Sequence, residues 1–212
     1  MRILSALSIV ASFATFAPAG PQIASRPAGD WVKVLDNPER IAAMRIPDVV
    51  AALNLRQGDV VADLGAGSGP FVVAFANAVS PAGKVYAVEI DKDFLPFIEA
   101  RLKAAGLTHA RPVLGEFTDP KLPARDVDVA FMHDVLHHIE QREAYLKNLV
   151  RYLKPDARIA IIDYNQANSP HSGDAKLVVS KERATAWMAA IGFKPVEDLK
   201  LFPDKWFVIY GR

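Results

Sequence analysis

Two clusters of side chains have types and spacing that could do chemistry. The first is Asp63-Leu64-Gly65-Ala66-Gly67-Ser68-Gly69-Pro70. Glycines let a chain turn sharply and bring its backbone against a ligand with no Cβ in the way. The spacing is G-x-G-x-G. A dinucleotide turn needs G-x-G-x-x-G, and Pro70 stands where its third glycine would fall. No Gly-Lys-Ser/Thr follows, so the turn is not a P-loop. Pro70 suits a first helical turn but removes one N–H that a phosphate would use. Asp63 brings a carboxylate, which by charge sign favours a cationic amine over a pyrophosphate. The second cluster is His133-Asp134-Val135-Leu136-His137-His138. Imidazole, with an unperturbed pKa of roughly 6.5, is the side chain suited to take a proton near neutral pH.

Three more residues extend the first cluster. Glu89 lies at the end of an apolar run and is placed to accept both hydroxyls of a ribose. Glu116 and Phe117 follow a third such run, and an acid beside an aromatic suits an adenine ring. Amine, ribose and adenine without phosphate are the parts of S-adenosylmethionine. The expected cofactor-binding residues are therefore Asp63, Gly65, Ala66, Gly67, Gly69, Glu89, Ile90, Glu116 and Phe117, with His133 and Asp134 shaping the donor site. His137-His138 with Asp134 or Asp163 has the donor atoms for a divalent ion. Adjacent histidines on a helix point apart, so no metal is expected.

These residues need a scaffold that gathers strand ends. Short apolar runs at Asp59–Leu64, Lys84–Ile90, Arg111–Leu114, Val127–Met132 and Arg158–Asp163 alternate with helical patterns at Phe71–Val79, Asp93–Ala105, Gln141–Leu153 and Lys181–Ile191. Such alternation implies a parallel sheet covered on both faces. Two late strands, Pro195–Leu201 and Trp206–Tyr210, are joined by a turn too short for a parallel crossover, so the last strand runs antiparallel. Pro38–Leu55 reads as a helix over the strand ends. The polar stretch from Tyr164 to Ser180 reads as a mobile loop over an acceptor, with Tyr164, Asn165 and His171 as contacts. Trp31 and Arg40 would close the other side, and Trp187 and Phe193 fit a core-facing helix.

The chain resembles the class I S-adenosylmethionine-dependent methyltransferases. The likeness rests on Val60 to Gly69, Val85 to Asp91, Asp128 to Met132 and Leu153-Lys154-Pro155. It is most similar to a bacterial group of small, often signal-bearing methyltransferases, through Asn37-Pro38-Glu39-Arg40, Asp119 to Pro123 and Asp134 to His138. The resemblance implies a Rossmann-like, doubly wound α/β fold. Its seven-stranded sheet is mostly parallel with an antiparallel last strand, and helices cover both faces. It implies S-adenosylmethionine as cofactor and S-adenosylhomocysteine as product. His137 matches the catalytic histidine of the Leu-His-Asp-Trp pattern in small-molecule O-methyltransferases, and His138 replaces that pattern's aspartate, so both are candidate catalytic residues. Asp156-Ala157 departs from the family's usual glycines, and Glu116 from its usual aspartate.

Composition narrows the function. The chain has 212 residues, 51% hydrophobic and 23% charged, and 25 Lys+Arg against 24 Asp+Glu. No global basic excess supports a nucleic-acid acceptor, and the absence of cysteine excludes disulfides and thiolate chemistry. The expected acceptor is a small or lipid-like molecule. Arg2, the apolar run from Ile3 to Phe16 and Ala17-Pro18-Ala19 form a signal-peptide pattern. The expected organisation is a signal at 1–19, a leader at 20–37 and a methyltransferase domain at 38–212. The product would be exported to the periplasm or beyond, with membrane attachment only through an uncleaved signal. A binding or scaffold protein on the same fold is the alternative, because export separates the chain from a cytoplasmic donor.

Overall fold

A computed structural model describes residues 27–212. Residues 1–26 lie outside the described part, and the signal at 1–19 with them. Seven strands form one sheet: β1 Val60–Leu64, β2 Lys84–Glu89, β3 Ala110–Leu114, β4 Val127–His133, β5 Leu153–Tyr164, β6 Lys194–Leu199 and β7 Lys205–Gly211. Their order is β3-β2-β1-β4-β5-β7-β6. β1 to β5 pair in parallel, whereas β7 is antiparallel to both β5 and β6. The expected mostly parallel sheet with an antiparallel close is what forms.

The central strands read as unbroken apolar runs because both faces are covered. Val60, Ala62 and Leu64 of β1 join a core with α6 (Arg142–Val150) and α7 (Lys181–Ala190) through Leu146, Leu149 and Met188. Val61 points into the opposite core, against Val49 and Leu53 of α3 (Ile46–Ala52), Phe75 and Val79 of α4 (Val72–Val79), and Ile98 of α5 (Leu95–Ala104). The edge strand β6 carries Lys194, Pro195, Glu197 and Asp198, which discourages further strand pairing. Phe193 is fully buried as expected. Trp187 is only half-buried, its ring flanked by Arg142 and Arg183.

Two expectations are corrected N-terminal to the sheet. The leader contains a helix, α1 (Ala28–Leu35), and Pro38–Leu55 is two helices, α2 (Pro38–Ala43) and α3. Asn37 caps α2, its side chain accepting from Glu39 N and Arg40 N. The break falls at Arg45, whose φ is 49°, because Pro47 in the first turn of α3 cannot continue a preceding helix. Arg45 holds the corner by bonding Asp48 and the Leu201 carbonyl at 2.8 and 2.6 Å.

The strand order reverses between β1 and β4. Ligands of such sheets bind beyond the carboxyl ends there, and the two expected clusters stand at those ends.

Candidate active site

The glycine turn leaves β1 directly after Asp63 and Leu64. Gly65 and Gly67 have φ of 72° and 56°, a region side chains avoid. A Cβ on Gly65 would lie 2.5 Å from Val135, so glycine here lets the turn pack on the segment after β4. Glu89 fastens the turn to β2. Its Oε2 accepts from Gly67 N at 2.9 Å and its Oε1 from Ile90 N at 2.8 Å. Burial raises the Glu89 pKa, and the backbone donors partly oppose that rise.

Asp63 is only 3% exposed, and its Oδ2 has no hydrogen-bond partner. Burial, and after it the charge on Glu89, pushes its pKa from 3.8 to about 8. A carboxylate so placed calls for a cationic or hydrogen-donating ligand. It lines a cavity of about 510 Å³ that also takes in Gly65, Gly67, Glu89 and Ile90. The orphaned oxygen, the glycine cradle and the acid on β2 fit S-adenosylmethionine.

A clamp ties α1 to this turn. Asp36, at the end of α1, accepts from Ser68 Oγ at 2.6 Å and from Arg101 Nη2 at 2.7 Å, while Arg101 Nε bonds the Ser68 carbonyl. Trp31, Val34 and Leu35 thereby wall the cavity.

The end of β4 supplies the second half. Asp134 has φ of 57°, and its Oδ2 pairs with Lys205 Nζ at 2.6 Å, both side chains nearly buried. Lys205 opens β7, and because that strand is antiparallel its first residue reaches the carboxyl edge of the sheet. Asp134 Oδ1 and His133 Nδ1 are buried without hydrogen-bond partners. Burial, then the cations Lys205 and Arg40, hold the His133 pKa well below its usual value, so its ring is neutral among Phe71 and Phe202.

His137 and His138 lie in a three-residue 3-10 turn, Leu136–His138, not in an α-helix. His137 is buried, and its Nδ1 lies 2.7 Å from Asp163 Oδ1 at the end of β5. Asp163 also accepts from His137 N and Tyr164 N, so the carboxylate is held by three donors. Beside a carboxylate, Nδ1 carries the proton and Nε2 is left as an acceptor. Arg142 fixes the turn by donating to the carbonyls of Leu136 and His137, and to that of Lys176 across the loop. Burial and the neighbouring His137 and His171 lower the His138 pKa to about 4. Burial and then Asp134 raise the Tyr164 pKa to about 12.

Most expected residues converge on the one cavity: Asp63, Gly65, Ala66, Gly67, Glu89, Ile90, Glu116, Phe117, His133, Asp134, His137, His138, Arg40, Tyr164 and His171 all line it. Gly69 and Asn165 are not among its lining residues. Gly69 faces the core, where a Cβ would touch Val72 and Ile98, and its φ of 81° serves the turn. Asn165 is taken up by the β5–β7 connection, its N–H bonding the Asp204 carbonyl. Phe117 is 59% exposed, an aromatic face at the rim. Trp31 lines the cavity as expected, whereas sequence reasoning missed the rest of the α1 wall, Val34 and Leu35, together with Ser68, Arg101 and Lys205.

Comparison with known proteins agrees with this geometry. Residues 62–161 match the family model described as a methyltransferase domain. The demethylmenaquinone methyltransferase of Anoxybacillus flavithermus is 24% identical over 119 residues, which is 56% of this chain and 50% of that one. A ubiquinone/menaquinone biosynthesis C-methyltransferase of Burkholderia mallei is 26% identical over 121 residues, covering 57% and 49%. The chain thus spans about half the length of the curated relatives it matches. The crystal structure of an S-adenosylmethionine-dependent methyltransferase from Aquifex aeolicus superposes with a TM-score of 0.78 at 24% identity, covering 85% of this chain and 96% of that one. The matched segment is thus that of a methyltransferase domain, and the fold is that of S-adenosylmethionine-dependent methyltransferases, which supports S-adenosylmethionine as the methyl donor.

Proposed function

We propose that this chain methylates a small, largely apolar acceptor of the hydroxylated-ring, quinone-like class. When bound, S-adenosylmethionine supplies a methyl carbon already activated by its sulfonium. Asp63 receives the donor's ammonium, and the lone pairs left on Glu89 accept its ribose hydroxyls. Glu116 and Phe117 face the purine at the rim. Trp31, Leu35, Met44 and Ile139 give the remaining space an apolar wall suited to a lipid-like ring. His137 offers Nε2 to the acceptor, takes its proton as the nucleophile forms, and stays oriented by Asp163.

The observation that carries this reading is the buried His137–Asp163 pair, 2.7 Å apart, in the same cavity as the orphaned Asp63. The names of the quinone-methylating relatives support the acceptor class. The test is transfer of label from methyl-labelled S-adenosylmethionine to a panel of prenylated quinols and simple phenols. Label on a prenylated quinol, lost in Asp163→Asn, is expected. Tight donor binding with no transfer to any hydroxylated ring would favour the scaffold alternative.

We further infer from the pattern at 1–19 that the chain is exported. Mature protein beginning at Gly20 would support this, and mature protein beginning at Met1 in the cytoplasm would refute it.

A further inference from the structure

Three histidines from two separate stretches of chain meet in the cavity, and methyl transfer as read above uses one of them. Ring nitrogens of His137, His138 and His171 lie within 4.8 Å of one another. The ring centroids are 4.1 Å apart for His137 and His138, 5.2 Å for His137 and His171, and 5.4 Å for His138 and His171. The ground for expecting no metal was that adjacent histidines on a helix diverge. That ground fails here, because the pair sits in a 3-10 turn, and the third ligand comes from the loop after β5 rather than from Asp134 or Asp163.

We propose that His137, His138 and His171 form a binding site for a divalent transition metal, with zinc or cobalt(II) as the fitting class. Imidazole is the common ligand of these borderline ions. Asp163 holds His137 by Nδ1, which turns Nε2 outward, the carboxylate–histidine arrangement that orients metal ligands. Among the described residues, that carboxylate is the one hydrogen-bond partner of the three rings. Both stretches are held from behind. Arg142 bridges the carbonyls of His137 and Lys176, and Ser169 Oγ accepts from His171 N. A tetrahedral ion with nitrogens at about 2.0–2.1 Å needs them roughly 3.4 Å apart. Loading the ion therefore requires small rotations of the His138 ring and of the His171 ring, which stands on a loop. Since all three residues line the cavity, the fourth coordination position opens into it.

The ion site rests on the methyl-transfer reading for one consequence only. The Nε2 lone pair that accepts a proton from the acceptor is the one that would hold the ion, so a loaded site and a working base exclude each other at His137.

The test is zinc titration of the untagged full-length chain in competition with a chromophoric chelator, followed by cobalt(II) absorption. One zinc per chain at about micromolar affinity or tighter is expected, with visible cobalt bands of a four- or five-coordinate ion. His138→Ala and His171→Ala are each expected to weaken binding by at least about tenfold, with the metal-free melting curve of His171→Ala unchanged. Affinity weaker than about 100 µM, or binding that survives both substitutions, would overturn the site. Zinc binding with full turnover would keep the site and remove His137 from proton transfer. Turnover without zinc binding would overturn the site and leave the base assignment standing.

Discussion

The donor half and the acceptor half of the cavity are built on different principles. At the ends of β1 and β2 the donor half is held by backbone. Glu89 is fixed by the N–H groups of Gly67 and Ile90, and the turn itself is set by glycine dihedrals. At the ends of β4 and β5 the acceptor half is held by side chains. His137 leans on Asp163, Asp134 on Lys205, and Arg142 bridges turn and loop. A backbone-held site keeps one shape for one ligand. A site held by side chains is altered by single substitutions, so a shared scaffold can serve different acceptors.

That contrast is open to test, and the largest effect falls on the acceptor half. Asp163→Asn replaces the carboxylate by a neutral amide whose NH2 can face Nδ1 and favour the wrong tautomer of His137, and kcat is expected to fall about 10²- to 10⁴-fold. Donor affinity by calorimetry should not move. A matching loss of donor affinity would show that the halves are not separable.

Lys205→Met comes next. It strands Asp134 as a buried carboxylate, and removing one partner of a buried pair costs about 3–5 kcal/mol. Chemical denaturation is expected to show a loss on that order. A loss below about 1 kcal/mol would show that water already screens the pair.

In the donor half, Asp63→Asn should weaken S-adenosylmethionine about 10- to 100-fold, the value of a hydrogen bond to a charged group. The same residue gives the ligand-free protein a pH signature. Its folded pKa, about 8, exceeds the unfolded value of 3.8, so between them the folded chain holds a proton that the unfolded chain releases. Stability therefore falls as pH rises through that window. The slope should flatten in Asp63→Asn and in protein saturated with donor. A ligand-free melting temperature that rises from pH 5 to pH 8 would contradict the assignment.

The smallest effect belongs to the clamp. Arg101 and Asp36 are about a third exposed, so Arg101→Ala should cost no more than about 1 kcal/mol of stability. Because the clamp also seats α1, donor affinity should slip a few-fold. An unchanged affinity would make α1 a bystander.

The same contrast explains what was legible in the sequence. β1, β2 and β4 fall within a residue of their apolar runs, because strands buried on both faces leave an unbroken signal. Asp63, Glu89 and the glycines were readable because their partners lie on adjacent strand ends. β5 begins at Leu153 instead of near Arg158, since pairing with Val127 carries the strand through Pro155. Helix α1 was hidden by Pro27 and Gly29, which read as leader, although Pro27 stands at the N-cap position and its carbonyl accepts from Asp30 N and Trp31 N. Asp163 lies 26 residues from His137, and Lys205 lies 71 residues from Asp134. No local pattern records such pairs, because β5 and the antiparallel hairpin create them.

The hairpin of β6 and β7 has a consequence for the order of folding. A contact spanning 71 residues closes a large loop and forms late. Until it does, Asp134 has no cation to meet, and dehydrating its carboxylate is unfavourable. Closing the far edge of the sheet and finishing the acceptor half thus become a single event. A nascent chain stalled before Lys205 has the glycine turn and Glu89 but no completed acceptor half. Acceptor binding then reports that the whole sheet has been assembled, and an acceptor in excess would favour finished molecules over partly built ones.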